Sequence, residues 1–209
     1  MTLMNHELTF IQNELKKELD EPRYQHTLGV MYTASAMAMC HGADLAQALT
    51  AGILHDCAKC IPADEKIRMC KEHEIPVTDI EYANPGLLHA KLGAYLAEEK
   101  YGILDPVILD AIRYHTTGRP EMTLMDKIIY ISDYMEPGRK ELPNMNDVRY
   151  LAFHDIDACL YRILHDSLEY LNSTGKPLDP MTAETCQYYE NKRQFLSRRT
   201  VYESGEYDG

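Results

Sequence analysis

Apolar residues recur at spacings of three and four almost throughout the chain, from Phe10, Ile11, Leu15 and Leu19 to Ile163, Leu164, Leu168 and Leu171. Two-residue alternation of β-branched side chains, the mark of a half-buried strand, is nearly absent. Such a chain folds as helices, and its punctuation says where they stop. Thr9 is placed to cap a first helix through Leu19. Asp20-Glu21-Pro22 opens a second that stops near Gly42, and Asp44 caps a third ending at His55-Asp56. Pro62 and Asp64 open a short helix that closes before Pro76. Pro85-Gly86 precedes another, through His89 and Leu96, ending at Gly102. Asp105-Pro106 starts the next, with Pro where its missing N–H costs least, and that helix stops around His115. Thr116 to Pro120 forms a tight connection to a Thr123–Met135 helix. An irregular segment from Pro137-Gly138 reaches Asn146. A long helix from Asp155 to about Ser173 and a last one from about Thr182 to Arg199 complete the pattern. The expectation is an all-α bundle of eight to ten helices, one domain over 1–203, with a small polar tail at 204–209 that frays.

Charge narrows the partners. Lys+Arg of 21 against Asp+Glu of 33 gives a net charge of -12. That balance opposes nonspecific binding to nucleic acid or an anionic membrane. A phosphate-bearing ligand must therefore be held locally, by metal ions and a few placed cations. No apolar run is long enough to span a bilayer, and the first ten residues lack a signal-peptide pattern. The six cysteines lack disulfide-scaffold spacing, so a cytoplasmic location is expected. Cys57-Ala-Lys-Cys60 has no second C-x-x-C to complete a zinc site and reads as two small apolar residues near a helix end. The 15 Tyr and absence of Trp are compatible with a homodimer without requiring one.

His55-Asp56 closes the apolar run Ala51-Gly52-Ile53-Leu54. An imidazole and a carboxylate buried side by side are costly unless something positive satisfies them, and a divalent cation does so directly. Two other His-Asp pairs read differently. Asp155, of His154-Asp155, stands where a helix-capping Asp belongs, and His165-Asp166 reads as solvated helix surface. His26, His89, His115 and Asp133 each sit among apolar neighbours on separate helices. One arrangement accounts for all of them: they converge, and metal holds them. His6, His41 and His73 read as surface, and so does Arg119.

The order of these residues on an all-α scaffold resembles the HD-domain superfamily of metal-dependent phosphohydrolases. Arg23-Tyr24-x-His26, His55-Asp56-x-x-Lys59, His89, His115-Thr116-Thr117-Gly118 and Asp133-Tyr134-x-Glu136-Pro137-x-Arg139 narrow the resemblance to the bacterial YqeK family. Weaker agreement continues through Lys176-Pro-Leu-Asp-Pro180-x-Thr182, and Cys57 and Cys186-Gln187 depart from the family pattern. Those proteins are symmetrical diadenosine tetraphosphate hydrolases. The resemblance implies an iron site on His26, His55, Asp56 and Asp133, with His89 and His115 holding a second cation or contacting phosphate.

Hydrolysis of a phosphoanhydride needs an activated water, charge neutralisation and in-line geometry. Asp56 is the natural bridge between two ions, and imidazole with carboxylate suits iron, manganese or cobalt. Lys59, one turn beyond Asp56, can reach a phosphate as a point charge and shares the catalytic role with Asp56. Arg139 can clamp a phosphate bidentately. Arg23 shares a helix face with His26, and Thr116 and Thr117 offer hydroxyls beside His115. The substrate expected is a dinucleoside polyphosphate cut to nucleoside diphosphates. Another HD phosphohydrolase activity, on a nucleotide or an alarmone, is the nearest alternative. A non-catalytic HD module that senses a nucleotide is the second, and a helical scaffold with incidental histidines the third.

Overall fold

The structure, a computed structural model, describes residues 2–175 and 178–204, with side chains over 7–175 and 178–194. The described residues form helices α1 (Thr2–Glu18), α2 (Glu21–His41), α3 (Leu45–Leu54), α4 (Ala63–Glu72), α5 (Asp79–Ala83), α6 (Leu88–Glu99), α7 (Pro106–Tyr114), α8 (Leu124–Met135), α9 (Met145–His154), α10 (Ile156–Thr174) and α11 (Pro180–Ser204). A 3-10 turn at Pro85–Leu87 leads into α6. The all-α expectation holds.

Most helix starts are fixed by the residues that announce them. Asp20, Asp44, Asp105, Thr123 and Asp155 each accept a backbone N–H of the first turn that follows. Each such cap contributes about 1 kcal/mol. Gly42, at φ 69°, closes α2 in the left-handed region, where a Cβ would be strained.

α2 is the central element. It buries Val30, Met31, Ala34, Met37 and Ala38, and packs on α3 and α8. Contact with α3 is close because Gly52 has no side chain: a Cβ there would stand 2.8 Å from the Met31 Cα. One continuous core runs from Ile11 and Leu15 through Ile53, Ile128 and Ile131 to Leu160 and Leu164. A satellite cluster of Ala58, Cys70, Leu88 and Leu92 seats α4 against α6. Full burial of a Leu, Ile or Met contributes roughly 1.5–3 kcal/mol, so this core anchors the helix ends that carry the histidines.

Several boundaries differ from expectation. α1 begins at Thr2, so Thr9 lies inside it rather than capping it, and His6 belongs to the helix. Nothing between Thr2 and Thr9 breaks a helix, so the pattern simply continues upstream. α5 is new, built on a capping box between Thr78 and Glu81. α9 begins at the end of the expected irregular segment, at Met145, and runs on to His154. Its buried Met145, Val148 and Ala152 have helical spacing, but the start carries no cap, because Asn144 turns its amide toward Tyr134 and Asp166. Asp166 is accordingly not a freely solvated group. It accepts from Asn144 Nδ2 at 2.5 Å and from Arg162 Nε at 2.6 Å, tying α10 to the segment before α9. His41 is also tied in, through Nε2 at 2.7 Å from the Ala152 carbonyl. Ser204 ends α11, while Lys176, Pro177 and the rest of the expected tail lie outside the described residues.

Candidate metal centre

Five helix segments deliver the site. His26 projects from the second turn of α2. His55 and Asp56 follow the last turn of α3, where the chain passes into a series of tight turns through Lys59. His89 sits in the first turn of α6, His115 caps the end of α7, and Asp133 lies in the last turn of α8. The structure therefore brings His26, His55, Asp56, His89, His115 and Asp133 into one cluster.

Asp56 is the pivot. Its side chain is 2% exposed, and its two oxygens face different ways. Oδ1 lies 3.1 Å from His89 Nε2 and 3.6 Å from His115 Nε2. Oδ2 lies 3.5 Å from His55 Nε2 and 3.8 Å from His26 Nε2. Asp133 Oδ1 stands 2.9 Å from His26 Nε2 and 3.7 Å from His55 Nε2. The imidazoles meet edge to face, at centroid separations of 5.3 Å for His26–His55, 5.0 Å for His55–His115 and 4.9 Å for His89–His115.

The remote nitrogens are fixed. Nδ1 of His55, His89 and His115 each meets the carbonyl three residues earlier, at Gly52, Gly86 and Ile112. That leaves every Nε2 aimed into the cluster, the second-sphere arrangement of imidazole ligands. His26 has a different partner, the carboxylate of Glu136, at 3.0 Å from Nδ1.

Such a site fits a metal. Nε2 of His26, Nε2 of His55 and Oδ1 of Asp56 are buried without a well-aligned hydrogen bond. Buried polar atoms left so are costly, and bound cations would satisfy them. Ligand atoms of His26, His55 and Asp56 lie within 4.8 Å of one another, and so do those of Asp56, His89 and His115. Asp56 belongs to both sets, one oxygen to each. Burial, reinforced by the charges of His115 and Lys59, pushes His89 down to about 4, leaving it neutral and able to donate its lone pair. Burial would also lower His55, but Asp56 and Asp133 outweigh it and raise His55 to about 9. Against burial's pull upward, His55, His115 and His89 hold Asp56, and His26, His55 and Arg139 hold Asp133, well below the usual carboxylate range.

The cations are placed unequally. Lys59 Nζ stands 3.2 Å from His89 Nε2 and 3.8 Å from Asp56 Oδ1, at the edge of the cluster. Thr116 Oγ1 is 3.3 Å from His89 Nε2 and 3.2 Å from His115 Nε2. Thr117 departs from expectation, because its hydroxyl donates to the Gly118 carbonyl and serves the turn. Arg23 pairs with Asp56 Oδ2 at 2.7 Å. Arg139 holds both the carbonyl and the carboxylate of Asp133. Arg119 is not simple surface: it forks onto Asp126, reaches Asp110 and stacks on Tyr114, bracing the loop between α7 and α8. Glu136 stands in the Asp133–Arg139 motif, where the sequence assigns it no role; the chain leaves α8 at this residue, which brings its carboxylate to the far side of the His26 ring.

This chain belongs to the HD domain family, whose model matches residues 23–138. The narrower resemblance also holds. A Bacillus subtilis (strain 168) protein named "Bis(5'-nucleosyl)-tetraphosphatase, symmetrical" is 42% identical over 174 residues, 83% of this chain and 92% of that protein. A Halalkalibacterium halodurans protein of the same name is 41% identical over 171 residues, 82% of this chain and 90% of its own. The fold matches the crystal structure of a "predicted HD superfamily hydrolase involved in NAD metabolism" from Clostridium acetobutylicum. The TM-score is 0.85 at 38% identity, covering 88% of this chain and 97% of that one.

Proposed function

We infer that this chain is a metal-dependent hydrolase that cleaves diadenosine tetraphosphate symmetrically into two ADP. One observation carries the reading: a buried carboxylate, Asp56, divides its two oxygens between two pairs of imidazoles in a chain that covers 92% of a relative named for this activity. His26, His55, Asp56 and Asp133 would hold one ion, and His89 and His115, with Asp56, a second. Iron is the proposed metal, with manganese or cobalt as substitutes, because imidazole and carboxylate donors suit those ions. A bound divalent ion supplies Lewis acidity and a water acidified toward neutral pH.

The chain's own residues do the rest. Asp56, deeply buried and ionised, fixes the spacing of the two donor sets. Lys59 and Thr116 lie where a phosphate oxygen meeting the His89–His115 side would be contacted, by a point charge and a hydroxyl. Arg23, 27% exposed along its side chain, reaches the opposite side of Asp56 and can turn from that carboxylate to a polyphosphate. Arg139 keeps Asp133 in place, which in turn keeps His26 and His55 in register. Phosphoryl transfer depends mainly on such positioning and charge compensation.

No described helix is long and apolar enough to cross a membrane. All six cysteines are unpaired, four of them buried, which suits the reducing cytoplasm proposed as its location. The test is direct. Metal-loaded protein is incubated with diadenosine tetraphosphate and the products are separated by chromatography. ADP alone supports the reading, AMP with ATP refutes symmetrical cleavage, and no turnover with any of the three metals refutes catalysis.

A further inference from the structure

We propose that Glu136 positions His26 for metal binding, and that Gly29 is required so that Glu136 can reach it. The inference rests on the metal site proposed above.

His26 differs from the other three histidines in where its helix leaves it. His55 and His115 stand at helix ends and His89 follows a 3-10 turn, so a backbone carbonyl three residues earlier is free to fix each Nδ1. His26 is in the interior of α2, where carbonyls are committed to the helix ladder. The carbonyl at the equivalent position, Arg23, already takes the Thr27 hydroxyl at 2.7 Å. A side chain must therefore fix His26, and Glu136 does so. Asp133 and Glu136 approach one imidazole from its two sides, 2.9 Å from Nε2 and 3.0 Å from Nδ1. A carboxylate on the remote nitrogen sets the tautomer and makes the ligating nitrogen more basic.

The cost of this arrangement points the same way. Glu136 is 3% exposed, and among the described residues His26 is its one ionic partner within 4.0 Å. Its other oxygen accepts the Gly138 N–H. A carboxylate buried so sparsely is expensive unless positive charge is added nearby. A cation on His26 adds it. Room for the carboxylate comes from α2 itself, because a Cβ on Gly29 would stand 2.4 Å from Glu136 Oε2 and 3.0 Å from Cδ. Glycine is a poor residue for a helix interior, so its presence one turn after His26 needs a reason of this kind.

Gly29→Ala is therefore the informative variant. Alanine favours the helix, and the obstructed atom is the tip of a flexible side chain, so the fold should persist while Glu136 is pushed away. Metal affinity is measured by chelator competition with Mn2+ on the full chain, alongside circular dichroism and melting of the metal-free protein. Gly29→Ala and Glu136→Ala should each weaken Mn2+ binding about 10–100-fold, the usual effect of losing such a partner. Metal-free melting of Gly29→Ala should match or exceed wild type. Glu136→Gln, which keeps an acceptor oxygen but no charge, should fall between wild type and Glu136→Ala. Wild-type affinity in both Gly29→Ala and Glu136→Ala overturns the assignment and leaves the hydrolase reading intact. Loss of affinity only in step with loss of helix content shows a structural role and overturns it as well. Wild-type protein that binds no Mn2+, Fe2+ or Co2+ overturns the metal site and this proposal with it.

Discussion

Removing metal from this site should give the protein an unusual dependence of stability on pH, readable at His55 and His89. His55 is fully buried, and its pKa in the folded chain stands near 9 against an ordinary 6.5. Burial pulls it down, but the carboxylates of Asp56 and Asp133 more than offset that. A group raised in the folded state contributes stability that is complete below 6.5 and lost as pH climbs through 9. The displacement corresponds to about 3 kcal/mol. His89 is the reverse case, lowered by burial to about 4, so the unfolded chain takes its proton first. Stability then falls as pH drops from 6.5 to 4, again by about 3 kcal/mol. Buried thiols add to the alkaline loss as pH nears their ordinary value of 9.0, because burial pushes Cys57 and Cys159 up to about 12 and raises Cys70 and Cys186, so comparison with a variant altered at Asp56 isolates the part that belongs to His55. The metal-free protein should be most stable near pH 6.5. For a chain of this size the loss at pH 9 equals a drop of roughly 6–12 °C in melting temperature. Urea unfolding in excess chelator at pH 4.5, 6.5 and 9 measures it. Asp56→Asn, which takes away the nearer carboxylate, should flatten the alkaline limb. A metal-free stability that is level or rising between pH 6.5 and 9, or an Asp56→Asn profile parallel to wild type, would refute this account of the cluster.

Asp56→Ala should abolish hydrolysis and metal retention while the helices persist, whereas Asp166→Ala should cost about 1–3 kcal/mol of stability through Asn144 and Arg162 and leave metal content unchanged; elemental analysis and melting curves separate the two. His89→Ala or His115→Ala should lower turnover sharply while at least one ion per chain is kept. A fall from two ions to one marks a binuclear site, an unchanged count marks phosphate contact, and complete loss in either variant would show that the two donor sets do not act separately. Lys59→Ala should weaken polyphosphate turnover at unchanged metal content. Arg139→Lys keeps the charge but cannot hold the Asp133 carbonyl and carboxylate together, so it should lose about 1–3 kcal/mol of transition-state stabilisation. Wild-type kinetics in both variants would remove these residues from the site.

The sequence by itself determined the helices and the chemistry available to them. Caps at Asp20, Asp44, Asp105 and Thr123 act on backbone within one turn, so local reading suffices for them. His55-Asp56 was legible because two adjacent ionisable side chains closing an apolar run are a local contradiction of the kind expected at functional sites. The spacing of His26, His89, His115 and Asp133 along the chain, with the resemblance it supports, named the members of the cluster. What it could not contain is direction. That Asp56 turns one oxygen to each histidine pair, that Thr117 turns its hydroxyl into the loop, and that Arg139 grips Asp133 depend on how helices distant in sequence cross. α9 and the Asn144–Asp166 tie escaped for the same reason: a cap residue was diverted to a partner on α10. Glu136 and Gly29 are 107 positions apart and meet only because α2 lies against α8. A side chain's type is fixed by its codon and its local backbone by near neighbours, but the group it faces is fixed by packing, which no short window of sequence holds.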